Sequence, residues 1–266
     1  MKIESLLHRA LGALCALPAM ALLAVSCEKV IDIDLPASQS AIVIQGNLPL
    51  DSACRILISK SIIFNQLNVF PIVSGALVTI SDDQGNSETC TEIDPPSGRY
   101  ESGSLLGVEG RTYTLTVEYA GHTYVAASSL PQMVPLDSLG TQTMGIMGAQ
   151  IFQVIPYFTD PVGIPNWYKF ETALNGVSDT DIRLRNDAYT DGQLNLQPIN
   201  LRDAKSGDLL TFTMLGIDQA AFFFYNTLRQ SSSSMTTPAN PTTNFSGGCL
   251  GYFKAYNSQT MKMTLP

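Results

Sequence analysis

Histidine is the side chain that most often carries acid–base chemistry near neutral pH, and this sequence contains only two, His8 and His122. His8 stands in an apolar N-terminal segment, so a Ser-His-Asp or Cys-His mechanism would depend on His122 alone, beside a predicted turn at Ala120-Gly121. The chain also lacks a nucleophile elbow, a dinucleotide-binding glycine motif and a phosphate-binding P-loop. Zinc sites built from several histidines are excluded as well. We therefore predict no catalytic residues and a protein that is not an enzyme.

Carboxylates are the remaining side chains that could support chemistry. Paired Asp or Glu residues hydrolyse glycosidic bonds, and their spacing in sequence is unconstrained. The same side chains bind Ca²⁺ through oxygen, and Asp160, Asp187 and Asp191 are the candidate metal ligands, although no EF-hand spacing is present. The alternative is an ordinary turn role, because Asp in a turn accepts hydrogen bonds from nearby backbone N–H groups. The sequence predicts no cofactor, and Ca²⁺ is the one alternative that these carboxylates leave open.

Aromatic side chains offer a second kind of site. Trp167-Tyr168 and Tyr252-Phe253 stand in predicted strands, where one member of each pair can be exposed to stack on a sugar or peptide. The run 222–225 is aromatic throughout and cannot face one way on a helix, so two of its members should pack in the core. The long polar loop 231–248 is a further interaction candidate. The candidate residues for ligand or partner binding are Trp167, Tyr168, Phe223, Phe224, Asn244 and Tyr252.

The composition limits the partners. The formal net charge is −8 and no basic cluster is present, which argues against nucleic acid because phosphate binding depends on Lys and Arg. No cysteines have metal-ligand spacing. Cys54 and Cys90 could form a disulfide in an oxidising compartment or could be small buried apolar residues, and both readings remain open.

The N-terminus reads as a secretion and anchoring signal. Lys2 and Arg9 accompany an apolar stretch that is shorter than the about 20 residues a membrane-spanning helix needs. The stretch ends in Leu-Leu-Ala-Val-Ser-Cys27, which is typical of a lipoprotein cleavage site. We predict a lipoprotein signal peptide over 1–26, lipidation of Cys27 and a tether over 27–39, with several acyl chains holding the protein on a membrane.

The rest of the chain is predicted to be mostly β. Short alternating segments with a turn every 8–12 residues predict an immunoglobulin-like or fibronectin-like sandwich over 40–130. Pro131 and Pro135 break the pattern, so a second β-rich domain is expected over 131–266. It should contain one amphipathic helix near 218–230, with Asp218 as its N-cap, and the long loop 231–248.

Several segments together resemble a known family. They are the Cys27-Glu28-Lys29 start, the segment 76–85, Gly98-Arg99-Tyr100, Gly110-Arg111-Thr112, Asp160-Pro161, Asn186-Asp187, Gly207-Asp208 and the segment 240–253. In this order they resemble the Bacteroidetes outer-membrane lipoproteins labelled "domain of unknown function 4249". The resemblance implies an outer-membrane location and a TonB-dependent receptor as partner, and it supplies no reaction and no catalytic residues. Asp51-Ser52-Ala53 and Asp137-Ser138-Leu139 are also similar to the short O-glycosylation acceptor of these bacteria, which makes Ser52 and Ser138 candidate modification sites.

The resulting hypothesis is a non-enzymatic outer-membrane lipoprotein that serves as an accessory or recognition subunit of a TonB-dependent receptor in nutrient uptake or surface assembly. The cell surface is favoured over the periplasmic face. The alternative is a surface glycan-binding protein or a carboxylate-dependent glycan hydrolase, with a glycan or peptide as ligand.

Overall fold

Alternation of buried and partly exposed residues shapes the strands of the first half, as in Thr112–Tyr119, where Tyr113, Leu115 and Val117 are buried. The structure is a computed structural model that describes residues 40–62, 69–146, 149–231 and 239–266. The predicted signal peptide, Cys27 and the tether lie outside the described residues. Within the described part, no helix is both long enough and apolar enough to cross a membrane.

The described elements are mostly strands. The first half contains β1 (Ile42–Pro49), β2 (Ala53–Lys60), β3 (Leu77–Asp82), β4 (Ser87–Glu92), β5 (Arg99–Leu106), β6 (Thr112–Tyr119) and β7 (His122–Ser129). The second half contains β8 (Ser138–Ile146), β9 (Ala149–Tyr157), β10 (Trp167–Leu174), β11 (Val177–Ser178), β12 (Arg183–Asn186), β13 (Ile199–Asn200), β14 (Leu209–Ile217), α1 (Gln219–Ser231), β15 (Phe245–Ser246) and β16 (Leu250–Thr264). The mostly β fold class with a single described helix is confirmed.

The first half is a sandwich-like arrangement around one core. Its seven strands are flanked by β16 and β15 of the second half, in the order β16-β1-β2-β5-β4-β3-β6-β7-β15, and β4 pairs with both β3 and β5. Buried side chains from both ends of this path, among them Ile44, Ile58, Ile80 and Leu115, belong to one hydrophobic core. Burying such aliphatic side chains stabilises the fold by about 1.5–3 kcal/mol each.

The cysteines of this half are part of the core. Cys54, Cys90 and Cys249 are buried and free. Of the two alternatives for Cys54 and Cys90, the structure shows small buried residues and not a disulfide. Burial raises the pKa of the Cys90 thiol to about 12, which keeps it protonated and unreactive at neutral pH.

A second core lies between β8, β9 and β13 on one side and β10, β14 and the end of β16 on the other. The strand β8 was not predicted, because its Gly, Ser and Gln residues lack the β-branched and aromatic character of a typical strand. The helix α1 covers the opposite face of β10 and β14, where its Ala221, Phe224 and Tyr225 form a smaller cluster with Leu215 and Ile217 of β14. As predicted, Asp218 caps this helix, since its Oδ1 accepts the N–H of Ala221 at 2.8 Å.

The last strand joins the two halves. Its first part pairs in parallel with β1, and its second part pairs with β14. The sequence pattern predicts two closing strands, over 250–256 and 260–265, whereas the structure has one continuous strand, Leu250–Thr264. Gly251 is required at its start, because a Cβ there would lie 1.9 Å from the carbonyl oxygen of Ile44 and the residue has φ +102°. Residues 39–266 group into one compact unit by contacts, and the boundary near residue 131 stays a prediction.

Candidate metal centre and aromatic groove

Two loops at one end of the second core carry the predicted metal ligands. The 158–166 loop joins β9 to β10 and contains Asp160, and the 187–195 loop follows β12 and contains Asp187 and Asp191. Because β10 pairs with β12 so that Trp167 faces Asn186, the loops start side by side. Two backbone hydrogen bonds then hold them together, from the N–H of Asp160 to Gln193 at 3.1 Å and from the N–H of Asn195 to Phe158 at 2.8 Å.

The three carboxylates predicted from the sequence come together in this place. One oxygen from each of Asp160, Asp187 and Asp191 lies within 4.8 Å of the others. We call these three residues the acidic cluster. Asp160 and Asp187 are buried, whereas Asp191 is exposed, so the cluster opens to solvent on one side.

Each carboxylate is held by a hydrogen bond from its neighbourhood. The hydroxyl of Tyr168 donates to Asp160 Oδ1 at 2.5 Å. The backbone N–H of Asn166 donates to Asp187 Oδ2 at 2.8 Å, and the N–H of Gly163 donates to Asp191 Oδ1 at 2.7 Å. These bonds fix the carboxylates in position without neutralising them.

Two buried oxygens at this site have no partner. Asp160 Oδ2 and the side-chain Oδ1 of Asn166 accept no hydrogen bond, although their residues are only 4% and 6% exposed. The N–H of Gly192 lies close enough to Asp160 to lower its pKa, but it does not meet the geometry of a hydrogen bond. Buried acceptors without partners are rare in proteins, because each costs about 1–3 kcal/mol.

The electrostatics of the acidic cluster are unfavourable on their own. Burial raises the pKa of Asp160 above its ordinary value, and the negative charges of Asp187 and Asp191 raise it further, against the lowering effect of the Tyr168 hydroxyl. Burial also raises the pKa of Tyr168, as does its hydrogen bond to Asp160, so the hydroxyl remains a donor. None of the ion pairs among the described residues involves the acidic cluster.

The geometry of these carboxylates bears on two chemical roles, glycoside hydrolysis and cation binding. Retaining glycosidases hold their two carboxyl groups about 5–5.5 Å apart and inverting enzymes hold them about 6.5–9.5 Å apart. In the acidic cluster three carboxylates converge, with one oxygen of each within 4.8 Å of the others, and Asp160 and Asp187 are both buried. The arrangement therefore suits oxygen ligation of a hard cation better than glycoside hydrolysis.

An aromatic groove of about 450 Å³ begins at the acidic cluster. Its polar lining residues are Asp187, Asp191, Asn186 and Gln219, and the others are Gly163, Ile164, Pro165, Trp167, Ala188, Phe222 and Phe223. Trp167 is half-buried and Phe223 is 49% exposed, so both present ring surface to solvent. The groove thus brings together two of the predicted binding residues, Trp167 and Phe223, and two of the predicted metal ligands, Asp187 and Asp191. Phe222 had not been selected, because the residues that face outward depend on how α1 rotates against the sheet.

The other predicted ligand residues lie elsewhere. Tyr168 and Phe224 are buried, and in the Trp167-Tyr168 pair it is the tryptophan that is partly exposed. Phe224 packs against Tyr252 with ring centroids 4.8 Å apart. Both also line a second, mostly apolar groove of about 760 Å³ on the side of β1 and β2.

Asn244 has a structural role. Its side chain accepts the N–H of Phe253 at 3.0 Å and donates to the carbonyl of the same residue at 2.7 Å, which fastens the segment before β15 to β16. The predicted long loop thus contains a short strand, while its residues 232–238 lie outside the described part. Ser138 is exposed and Ser52 is partly exposed, and their glycosylation stays a prediction.

Lys254 is a buried charged residue that the sequence pattern does not predict. It is buried, and its ammonium lies 4.5 Å from the ring centre of Tyr256 and 5.3 Å from that of Tyr225. Burial, together with the nearby charge of Lys169, lowers its pKa to about 8. Contact with aromatic faces replaces part of its lost hydration, so this lysine is held by cation–π contacts.

These observations define a β-rich protein with two main cores and an acidic cluster at the end of an aromatic surface groove. The chain belongs to the family described as "Domain of unknown function (DUF4249)", whose model matches residues 28–262. The family resemblance drawn from the residues is thereby confirmed, and the match runs from the predicted tether nearly to the end of β16. No curated protein matches the chain.

Proposed function

We propose that the protein is a non-enzymatic, lipid-anchored outer-membrane protein of a Bacteroidetes cell surface that recognises a ligand or partner for a TonB-dependent receptor. The observation that carries this proposal is the aromatic groove. Covering its exposed rings with a partner lowers the free energy, because the removal of apolar surface from water is favourable.

The surroundings of the groove support a contact surface. In the two loops that form its wall, Val162 is 81% exposed and Tyr189 is 95% exposed. Large apolar side chains that gather at one end of a molecule mark interaction sites more often than isolated ones do. The groove is built on α1 and on the paired strands β10 and β12, so Trp167 and Phe223 are held by regular elements.

The N-terminal sequence supplies the anchoring part of the proposal. A lipid on Cys27 would confine the protein to the membrane that contains the receptor, and confinement raises the effective concentration of a partner. A modest contact area in the groove is then sufficient for a lasting complex.

Gentle crosslinking in native outer membranes, followed by purification of the full chain, tests the proposal. We expect a barrel receptor to be captured, and we expect Phe223→Ser to reduce the capture several-fold. Val177→Ser is the matched control, because Val177 is also exposed but lies in β11, away from the groove. Recovery of the protein alone, or equal capture by Phe223→Ser and wild type, would overturn it.

Glycan binding is the second candidate, and the position of Trp167 favours it. This half-buried ring lies beside Asp187 and Asp191, and carbohydrate ligands use aromatic stacking together with hydrogen bonds to carboxylates. Retention of the full chain on a glycan array, lost in Trp167→Ala, would support this function. Capture of a receptor that is unaffected by Trp167→Ala, with no retention on glycans, would exclude it.

A further inference from the structure

The acidic cluster has the composition and size of a calcium site. Ca²⁺ is bound by six to eight oxygens at about 2.3–2.6 Å, so oxygens on opposite sides of the ion are about 4.6–5.2 Å apart. One oxygen from each carboxylate lies within 4.8 Å of the others, which is comparable to the spacing of oxygens around one calcium ion. Mg²⁺ demands shorter bonds and near-ideal octahedral geometry, and zinc favours His and Cys, which are absent from the cluster.

A separate observation comes from Asn166. This residue is not part of the acidic cluster, yet its side-chain oxygen is buried without a hydrogen-bond partner. Its backbone N–H donates to Asp187 Oδ2 at 2.8 Å and its backbone C=O accepts the N–H of Asp187 at 3.3 Å, so the residue is a direct neighbour of the cluster. Amide oxygens of Asn are ordinary calcium ligands, and a cation would satisfy this oxygen and Asp160 Oδ2 together.

The charge balance points in the same direction. A buried charge is normally paired, but among the described residues no Lys or Arg pairs with the cluster. We propose that the acidic cluster and the side-chain oxygen of Asn166 bind a calcium ion, which joins the 158–166 loop to the 187–195 loop. The remaining ligand positions of the ion would be filled by water or backbone carbonyl oxygens.

A bound ion would also order the wall of the aromatic groove. Asp187 and Asp191 belong to both the cluster and the groove, and Gly163, which bonds Asp191, lines the groove as well. Calcium would therefore fix the conformation of the two loops that contribute Ile164 and Ala188 to the groove. The calcium proposal stands independently of the proposed receptor partner, since binding of the ion is measured directly.

Terbium luminescence tests the proposal, because Tb³⁺ replaces Ca²⁺ and is excited by energy transfer from a nearby indole. The chain has one tryptophan, Trp167, and it lines the groove beside the cluster. The full chain in mild detergent is stripped with EGTA, titrated with Tb³⁺ under tryptophan excitation, and then titrated with Ca²⁺ or Mg²⁺. We expect emission that Ca²⁺ displaces, with half-saturation at or below about 1 mM.

Four variants sharpen the test. Asp160→Asn should weaken calcium binding at least tenfold, measured by calorimetry, and the exposed Asp191→Asn serves as the second variant if Asp160→Asn does not fold. Trp167→Phe should lose the emission but keep calcium binding. Asp203→Asn is the charge-matched control in an exposed turn and should bind like wild type. Absence of calcium-displaceable emission in wild type, equal affinity in both cluster variants, or tighter binding of Mg²⁺ than of Ca²⁺ would overturn the calcium site.

Discussion

Glu88 in β4 and Asp160 in the 158–166 loop are both carboxylates that accept hydrogen bonds, but their surroundings differ. The two oxygens of Glu88 accept N–H groups from Gly103, Ser104 and Leu105, at 2.5 to 2.9 Å. Asp160 accepts one hydroxyl, and its other oxygen has no partner. Burial alone would raise the pKa of Glu88, but these backbone N–H groups outweigh it and lower the pKa. For Asp160 burial prevails and the pKa is raised.

Glu92, also in β4, repeats the pattern of Glu88. It accepts the N–H groups of Ser97 and Gly98 on one oxygen, and the hydroxyl of Ser74 and the N–H of Gly75 on the other. Against the effect of desolvation, these donors lower its pKa to about 2. The comparison shows how a structural carboxylate differs from a candidate ligand. The first is saturated with donors from its own chain, whereas the second is positioned by a few donors and keeps oxygens free for a cation.

The largest effect is expected where donors surround a carboxylate most completely. In Glu88→Gln the new amide N–H₂ must face a backbone N–H whichever way it turns, because both oxygens of Glu88 accept backbone donors. We expect a loss of about 1–2 kcal/mol of unfolding free energy and a midpoint lower by about 2–8 °C. Thermal unfolding followed by circular dichroism measures it. An unchanged midpoint would mean that water satisfies these donors equally well.

The same chemical change at Asp160 should have the opposite sign. Asp160→Asn keeps an oxygen to accept the Tyr168 hydroxyl, removes one of three like charges and offers N–H donors to Asp187 and Asp191. In EGTA the variant should therefore be more stable by about 1 kcal/mol. Chemical denaturation in urea, with and without calcium, gives the result. A variant that is less stable than wild type in EGTA would show that the ionised carboxylate is already satisfied there.

The parts of the fold that follow from local pattern were predictable. The alternation in β6 and the spacing of apolar residues in α1 after Asp218 required no knowledge of distant contacts. The sequence predicts two strands where the structure has the single strand β16, because Asn257 and Gln259 interrupt its apolar pattern. In the structure their amides donate to the carbonyls of Pro131 and Val134, so polar residues belong inside this strand for a long-range reason. No local pattern contains that information.

The candidate site divides in the same way. The acidic trio could be selected because Asp160, Asp187 and Asp191 occur in turns and few other groups could bind a metal. Asn166 could not, since an Asn after a proline resembles any turn residue. Its place beside Asp187 depends on the register between β10 and β12, which pairing alone decides.

The dependence of the unfolding free energy on pH below neutrality tests the carboxylate of Glu92, which is surrounded by donors. The folded pKa of Glu92 is about 2, against an ordinary value of 4.5, so this carboxylate stabilises the fold above about pH 4.5 and loses that effect as the pH falls towards 2. Tyr100, the titratable group facing it, has its pKa raised by burial and stays neutral throughout this range.

In Glu92→Gln the deficit in stability should be full at neutral pH and should shrink as the pH falls through this window. The exposed Glu118→Gln in β6 is the control with the same charge change. Urea denaturation at a series of pH values measures both variants. A constant deficit for Glu92→Gln from neutral pH to pH 3 would contradict the linkage.

The smallest effect on stability is expected at the exposed edge of the acidic cluster. Asp191→Asn retains an oxygen that can accept the N–H of Gly163, and its side chain is solvated. Its unfolding free energy in EGTA should therefore stay within about 0.5 kcal/mol of wild type. In saturating calcium, at about 100 times the dissociation constant, the unfolding free energy of wild type should rise by about 2.7 kcal/mol. The unfolding free energy of the variant should rise clearly less. A variant that gained as much as wild type would show that Asp191 is not a ligand, and the comparison would then rest on Asp160 and Asp187 alone.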